Sequence, residues 1–238
     1  DACHILGELT TRVEPAKRTE WWTLINDWKD KHPLTYDRDG TLKPQYIIEQ
    51  LRDATDGEAI ITTEVGQNQM WAAQWYTYTK PRQFITSGGL GTMGFGFPAA
   101  IGAQVACPDR TVIDIAGDGS IQMNIQELST AVREKLPVKI AILNNGYLGM
   151  VRQWQELFFD RRYSSTVLSD GNPDFVKLAD AYGARGILIE HTDQVRDAID
   201  AALAHPGPVV MDFRINPEEN VYPMVPAGEA IHRMRGLA

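Results

Sequence analysis

The sequence is poor in cysteine. Cys3 and Cys107 are its only two, with no C-x-x-C pair, which excludes a disulfide scaffold and a thiolate zinc centre. They read as inert thiols in a reducing compartment. No run of 18 apolar residues occurs, so no membrane-spanning helix is expected. Positive charge is also scarce. The 23 Lys and Arg are outnumbered by 31 Asp and Glu, giving a net charge of −8. That balance argues against a nucleic-acid-binding surface and for a soluble, cytoplasmic protein. The chain opens at Asp1 with neither an initiator Met nor an apolar leader, so no signal peptide is expected. What the chain does have is apolar content. Its 238 residues are 43% hydrophobic, enough for one large α/β domain, or one domain plus a fragment of another, and incompatible with disorder.

The first stretch, to roughly Val13, reads as a helix with Ile5, Leu6 and Leu9 at helical spacing. No residue is expected to cap its start, so the chain reads as part of a longer polypeptide. A Trp-rich helix over Thr19–Lys31 follows, then a turn-rich linker to Lys43. Asp37-Arg38-Asp39-Gly40 within it lacks the remaining spacing of a calcium loop and reads as a plain turn. From there strands and helices alternate. Strands are expected at Ala59–Thr63, Gln83–Thr86, Thr111–Ile115, Val138–Leu143, Arg185–Ile189 and Val209–Phe213. Helices are expected at Pro44–Arg52, Gln69–Trp75, Phe97–Val105, Ile125–Glu134, Leu148–Phe158, Asp174–Tyr182 and Gln194–Ala204. The strands are short and apolar on both faces, as in a parallel sheet buried between helices. The fold class is therefore α/β: a three-layer, doubly wound, mostly parallel six-stranded sheet. Residues 1–13 are expected to belong to a preceding domain, 14–43 to a connector, 44–215 to the α/β domain and 216–238 to a polar tail.

In such sheets ligands sit at the carboxyl ends of the strands. Gly89 to Gly94 matches G-x-G-x-x-G between a strand and a helix, the context of a dinucleotide loop. The acidic residue at the right distance, Asp114, falls inside the next strand rather than at its end, and the following Gly/Ala-rich helix offers close packing as another explanation. Two later loops carry more. Gly117-Asp118-Gly119-Ser120 closes one strand and Asn144-Asn145 closes the next, with Asp118 and Asn145 27 positions apart. One βαβ unit brings both to the same sheet edge. A carboxylate and an amide oxygen are hard ligands suited to Mg²⁺, whose shell would be completed by a carbonyl of the Gly146-Tyr147 loop, phosphate oxygens and water. The glycines let backbone N–H groups approach those phosphates. Either loop alone favours a helix cap or a tight turn; the two together, on consecutive strands, do not.

G-D-G-S followed by N-N at this spacing resembles the signature of thiamine-diphosphate enzymes. The longer segments Glu64 to Gln74, Gly88 to Gln104, Gly117 to Leu128 and Leu136 to Trp154 resemble the catalytic subunit of acetohydroxyacid (acetolactate) synthases, over the C-terminal third of such a subunit. The resemblance implies thiamine diphosphate and Mg²⁺ as cofactors, with FAD in the full-length enzyme. It implies metal ligation by Asp118, Asn145 and the carbonyl of Tyr147. Val65, Gly66, Gln67 and Asn68 would line the diphosphate, with Gly119 and Ser120 donating backbone N–H groups and Leu148, Gly149 and Met150 contributing to the cofactor site. Asn68 stands where many family members carry His, which removes any charged role there.

Further implications concern the ring end. Met93 would be the wedge that bends the cofactor so that its amino group meets the reactive carbon, and Gly91 would offer its carbonyl to that group. Trp154, one turn past Met150, would shape the pocket for the second 2-keto acid and favours the biosynthetic branch. The implied reaction joins pyruvate to pyruvate or 2-ketobutyrate with loss of CO₂, in branched-chain amino-acid biosynthesis. A homodimer or higher homo-oligomer and a regulatory small subunit are implied partners, and a plastid or mitochondrial location if the source is eukaryotic. The family's activating glutamate lies on a domain this sequence does not contain; Glu64 and Glu127 are not that residue, and the chain alone is expected to be inactive. Other thiamine-diphosphate enzymes (pyruvate oxidase, glyoxylate carboligase, 2-keto acid decarboxylases), a dinucleotide-binding oxidoreductase and a non-catalytic assembly domain are the competing expectations.

Overall fold

The computed structural model describes residues 1–236, in two compact units. One is formed by Asp1–Asp37 and the segment from Tyr222 onward. It contains helix α1 (Ala2–Arg12) and helix α2 (Thr19–Lys31), and neither helix has a buried residue. Ile5, Leu6, Leu9, Trp21, Trp22 and Trp28 are all exposed. Contrary to the expectation of an uncapped start, Asp1 caps α1: its carboxylate accepts from Cys3 N at 2.8 Å.

The second unit, Arg38–Val221, holds the α/β domain. Its elements are α3 (Pro44–Ala54), β1 (Ile60–Thr63), α4 (Gln67–Trp75), β2 (Phe84–Thr86), α5 (Gly96–Ala106), β3 (Val112–Gly117), α6 (Asp118–Ile121), α7 (Leu128–Arg133), β4 (Lys139–Asn144), α8 (Gly149–Phe158), α9 (Phe175–Tyr182), β5 (Arg185–Ile189), α10 (Val195–Leu203) and β6 (Val209–Arg214). Local chemistry sets several ends. Pro44 opens α3, where its missing N–H costs nothing. Asp174 caps α9 by accepting from Lys177 N, and Gly183 ends it at φ +84° in the left-handed region.

All six strands pair in parallel, in the order β2-β1-β3-β4-β6-β5. β1, β4 and most of β3 and β6 are buried on both faces, as the apolar runs require. On one side, Ile47 and Leu51 of α3, Trp71 of α4 and Ile199 of α10 pack on Ile113, Ile115 and Phe213. On the other, Phe97 of α5, Leu128 of α7 and Phe175 of α9 pack on Val112, Ile140 and Val210. This is the expected three-layer, doubly wound α/β fold.

The helix expected over Ile125–Glu134 is present, but its first turn is 3-10. A single turn, α6, follows β3 directly; a 3-10 turn occupies Ile125–Glu127 and only Leu128–Arg133 is α-helical. Just before the 3-10 turn, Asn124 Nδ2 donates to Gly94 O at 2.7 Å, tying the segment between α6 and the helix to the loop after β2. Asp39 accepts from Thr41 N and Oγ1, which makes the Asp39-Gly40 segment the plain turn expected. Among the described residues no helix is long and apolar enough to cross a membrane.

Candidate functional site

β1 and β3 are neighbours, and the connection leaving β1 runs outward to β2 while the one leaving β3 runs the other way to β4, so they diverge and open a crevice at the carboxyl end of the sheet. Loops after β1, β3 and β4 reach that crevice, and the loop after β2 sends in Met93. Together they line a cleft of about 100 Å³. Val65, Gly66, Gln67, Asn68, Met93, Asp118, Gly119, Ser120, Asn145, Tyr147, Leu148, Gly149 and Met150 all border it.

Asp118 is the first residue of α6, 1% exposed. Its Oδ2 accepts from Asn172 Nδ2 at 2.6 Å, whereas Oδ1 is buried with no hydrogen-bond donor. Burial pushes this carboxyl up to about 6, against the opposing pull of the Asn172 amide and of the main-chain N–H groups of Asp118 and Asn145. A buried carboxylate oxygen without a donor costs on the order of 1–3 kcal/mol unless something else meets it. A hard divalent cation would meet it. Asn145 borders the same cleft from the next strand, its Oδ1 accepting from Tyr147 N at 3.1 Å. Among the described residues no cluster of three or more His, Cys, Asp or Glu could hold a metal. A cation here would therefore combine Asp118 and Asn145 with main-chain and ligand oxygens, the donor set that suits Mg²⁺. The two asparagines divide their work. Asn144 accepts from Gly146 N and donates to Asp212 on β6, building the turn that leaves Asn145 at the cleft.

The cradle around this pair is made of close approaches. Gly66 has φ +143°, a region open to glycine. Ser120 Oγ accepts from Gly117 N and returns a bond to Gly117 O, so its hydroxyl stabilises the turn. The amides of Gln67 and Asn68 are also engaged by protein. Asn68 Nδ2 donates to Ile115 O at 2.9 Å, and Gln67 bonds Asn145 and Gln153. Both side chains shape the cleft wall as well as bordering it.

The loop that carries Met93 has an anchor that sequence reasoning assigned no role. Glu64, fully buried at the end of β1, accepts from Gly94 N at 2.5 Å and Phe97 N at 3.0 Å. Burial raises its pKa, and these backbone donors oppose the rise. Beneath it Asp114 is fully buried in β3, takes a bond from Thr62 Oγ1 and is raised by burial and by Glu64. Placed there, Asp114 has no access to a ribose, and Gly89 to Gly94 is not a dinucleotide loop. Gly96 is pressed onto this pair: a Cβ would lie 2.4 Å from Asp114 Oδ1 and Glu64 N.

Two residues expected at the site stand outside the cleft lining. Gly91, at φ +65°, borders Val65 beside the mouth. Trp154 is 36% exposed and packs on Phe158, ring centroids 5.1 Å apart, one helical turn from Met150. Four lining residues were not anticipated: Trp71, Gly117, Leu143 and Val151. Leu143 closes an expected strand and Gly117 opens an expected loop, so both were within reach of the sequence; Trp71 and Val151 sit on helices whose facing only the packing reveals.

Residues 64–213 match the family model described as thiamine pyrophosphate enzyme, C-terminal TPP binding domain. Over 93% of its length the chain is 49% identical to the acetolactate synthase isozyme 2 large subunit of Escherichia coli (strain K12) and covers 40% of it. It is 45% identical, over 97% of its length, to the mitochondrial acetolactate synthase catalytic subunit of Saccharomyces cerevisiae, covering 34% of that protein. Against the chloroplastic acetolactate synthase 1 of Nicotiana tabacum it is 48% identical over 88% of its length, covering 32%. The chain thus spans two-fifths or less of these curated relatives.

Proposed function

From a chain that belongs to the thiamine pyrophosphate enzyme family through its C-terminal TPP-binding domain, we propose the diphosphate- and metal-binding part of an acetolactate synthase large subunit. The supporting observation is the juxtaposition of Asp118, with its unmet carboxylate oxygen, and Asn145 at one cleft between neighbouring strand ends. Residues 44–215 are the domain that does this work.

Asp118 and Asn145 would hold Mg²⁺ through side-chain oxygens, joined by the carbonyl of Tyr147. Backbone N–H groups of the loops after β1 and β3 meet the diphosphate. Bound there, thiamine diphosphate supplies the electron sink for decarboxylating one 2-keto acid and joining its remainder to a second. Met93 would pack against the cofactor from the cleft wall, and Glu64 holds the loop that carries Met93 through Gly94 and Phe97. Met150 borders the cleft and would contact the cofactor or substrate, and Trp154, one turn further along α8 and outside the cleft lining, would shape the approach of the second substrate. Substrates are pyruvate and 2-ketobutyrate. FAD, a homodimer or larger homo-oligomer and a regulatory small subunit belong to the full-length enzyme. Its location is the cytoplasm, or a plastid or mitochondrion in a eukaryote.

The test is calorimetric titration of thiamine diphosphate into the full-length subunit that carries this segment, with Mg²⁺ and then with EDTA, followed by product analysis with pyruvate. Metal-dependent binding together with acetolactate formation is expected. Tight binding with EDTA present would remove the metal assignment; a decarboxylated aldehyde as the sole product would remove the synthase.

A further inference from the structure

Asn145 can serve a cation only if its amide is turned the right way. The oxygen must face the metal and the nitrogen must face protein. The two ends have nearly the same shape, so the hydrogen-bond environment alone decides between them. That environment is a line of buried amides. Asn145 Nδ2 donates to Gln67 Oε1 at 3.1 Å. Gln67 Nε2 donates to Gln153 Oε1 at 2.9 Å and to Glu219 O at 3.0 Å. Gln153 is gripped at both ends by the main chain of one residue: its Oε1 accepts from Val221 N at 2.8 Å and its Nε2 donates to Val221 O at 2.9 Å. Gln67, Asn145 and Gln153 are 3%, 8% and 0% exposed.

Val221 cannot exchange its donor for its acceptor, so it fixes which end of Gln153 is oxygen. Gln153 and the Glu219 carbonyl then require Gln67 to present its NH₂ to them and its oxygen to Asn145. Asn145 must answer with its own NH₂, which leaves Oδ1 for Tyr147 N and the cleft. Gly149 is the space this line needs: a Cβ there would lie 2.1 Å from Gln67 Oε1 and 2.6 Å from Asn145 Nδ2.

We propose that Gln153 and Gln67 are positioning residues for the metal, transmitting the backbone polarity of Val221 to the carboxamide oxygen of Asn145. The proposal rests on the cofactor reading given above. It places Gln153, next to Trp154 on α8, in the service of the metal and not of the substrate. It also makes Glu219–Val221 part of the metal site, although these residues lie more than 70 positions from Asn145 in sequence.

The experiment measures Mn²⁺ uptake directly, from the electron paramagnetic resonance signal of free Mn²⁺, in the full-length subunit with saturating thiamine diphosphate. Gln153→Met keeps length and removes both polar ends. It is expected to weaken Mn²⁺ binding about 10-fold, as loss of an orienting partner behind a metal ligand does. The same change in an Asn145→Asp background is expected to have under about twofold effect, because a carboxylate has no NH₂ to orient, whereas a merely structural loss would subtract equally from both. Gly149→Ala, which wedges a methyl into the Gln67–Asn145 bond, is the second handle if Gln153→Met does not fold, and is expected to weaken Mn²⁺ binding as well. A folded Gln153→Met protein with wild-type Mn²⁺ affinity, or an equal loss in the Asn145→Asp background, overturns the proposal while leaving the cofactor reading intact. Failure of the wild type to take up Mn²⁺ with thiamine diphosphate overturns both.

Discussion

The two ends of the sheet each bury a charged side chain, and they treat it differently. At the amino end Lys139 is 3% exposed, and its ammonium donates to His205 O at 2.7 Å and Gly207 O at 2.8 Å, the carbonyls that follow α10. A cation beyond a helix C-terminus, with carbonyls around it, is met from within the protein. At the carboxyl end Asp118 is as deeply buried, yet one of its oxygens has no donor. Desolvation opposes the charge in both cases, lowering Lys139 to about 8 and raising Asp118 to about 6. The difference is what remains open. Lys139 completes the fold, while Asp118 is left for something that is not protein. Burial of a charge does not by itself mark a site; burial with an unmet atom facing a cleft does.

The largest effect expected from breaking this contrast is at Asp118. Asp118→Asn should weaken metal-dependent thiamine diphosphate binding at least about 100-fold, on the order of 3 kcal/mol, in calorimetry. The cofactor-free protein should melt no lower, since the substitution removes a desolvated charge and keeps an acceptor for Asn172. Lys139→Met should do the opposite. Leaving two carbonyls without a donor should cost about 2 kcal/mol in denaturant unfolding while cofactor affinity stays unchanged.

A smaller effect separates the two through pH. A lysine lowered to about 8 in the fold, against 10.5 when free, binds fewer protons folded than unfolded between those values. Stability therefore gains from this group as pH rises from 8 toward 10.5, because deprotonation relieves the buried charge. The stability gap between wild type and Lys139→Met should widen over that window and stay flat below pH 7. The smallest effect is expected at Trp154, which lies outside the cleft lining. Trp154→Leu should leave thiamine diphosphate affinity within about twofold and cost about 1 kcal/mol through lost packing on Phe158.

The carboxyl end was legible in the sequence because its chemistry is local. Gly117 to Ser120 and Asn144-Asn145 are contiguous, and each follows an apolar run that can only be a buried strand. The six strands were legible for the same reason. What escaped was set by distant partners. Glu64 reads as a loop residue until Gly94 and Phe97, 30 and 33 positions away, are seen to donate to it. Gln153 reads as a polar residue on an amphipathic helix until Val221 arrives 68 positions later. The tie from Asn124 to the carbonyl of Gly94 had no local sign either. Hydrogen bonds of this span leave no period and no motif.

The strand order also has a consequence in time. β1 pairs with β3 across 52 residues, Ile61 beside Ile113, and Gln67 meets Asn145 across 78. Contacts so far apart in the chain close late, after local turns and helices have formed. The cleft cannot exist in an intermediate that has β1 without β3 or β3 without β4, because each wall is one of those strand ends. A ligand held there selects only molecules whose central sheet is finished, and by mass action it draws the folding population toward them. The cofactor site is thus also the chain's own certificate of completed assembly.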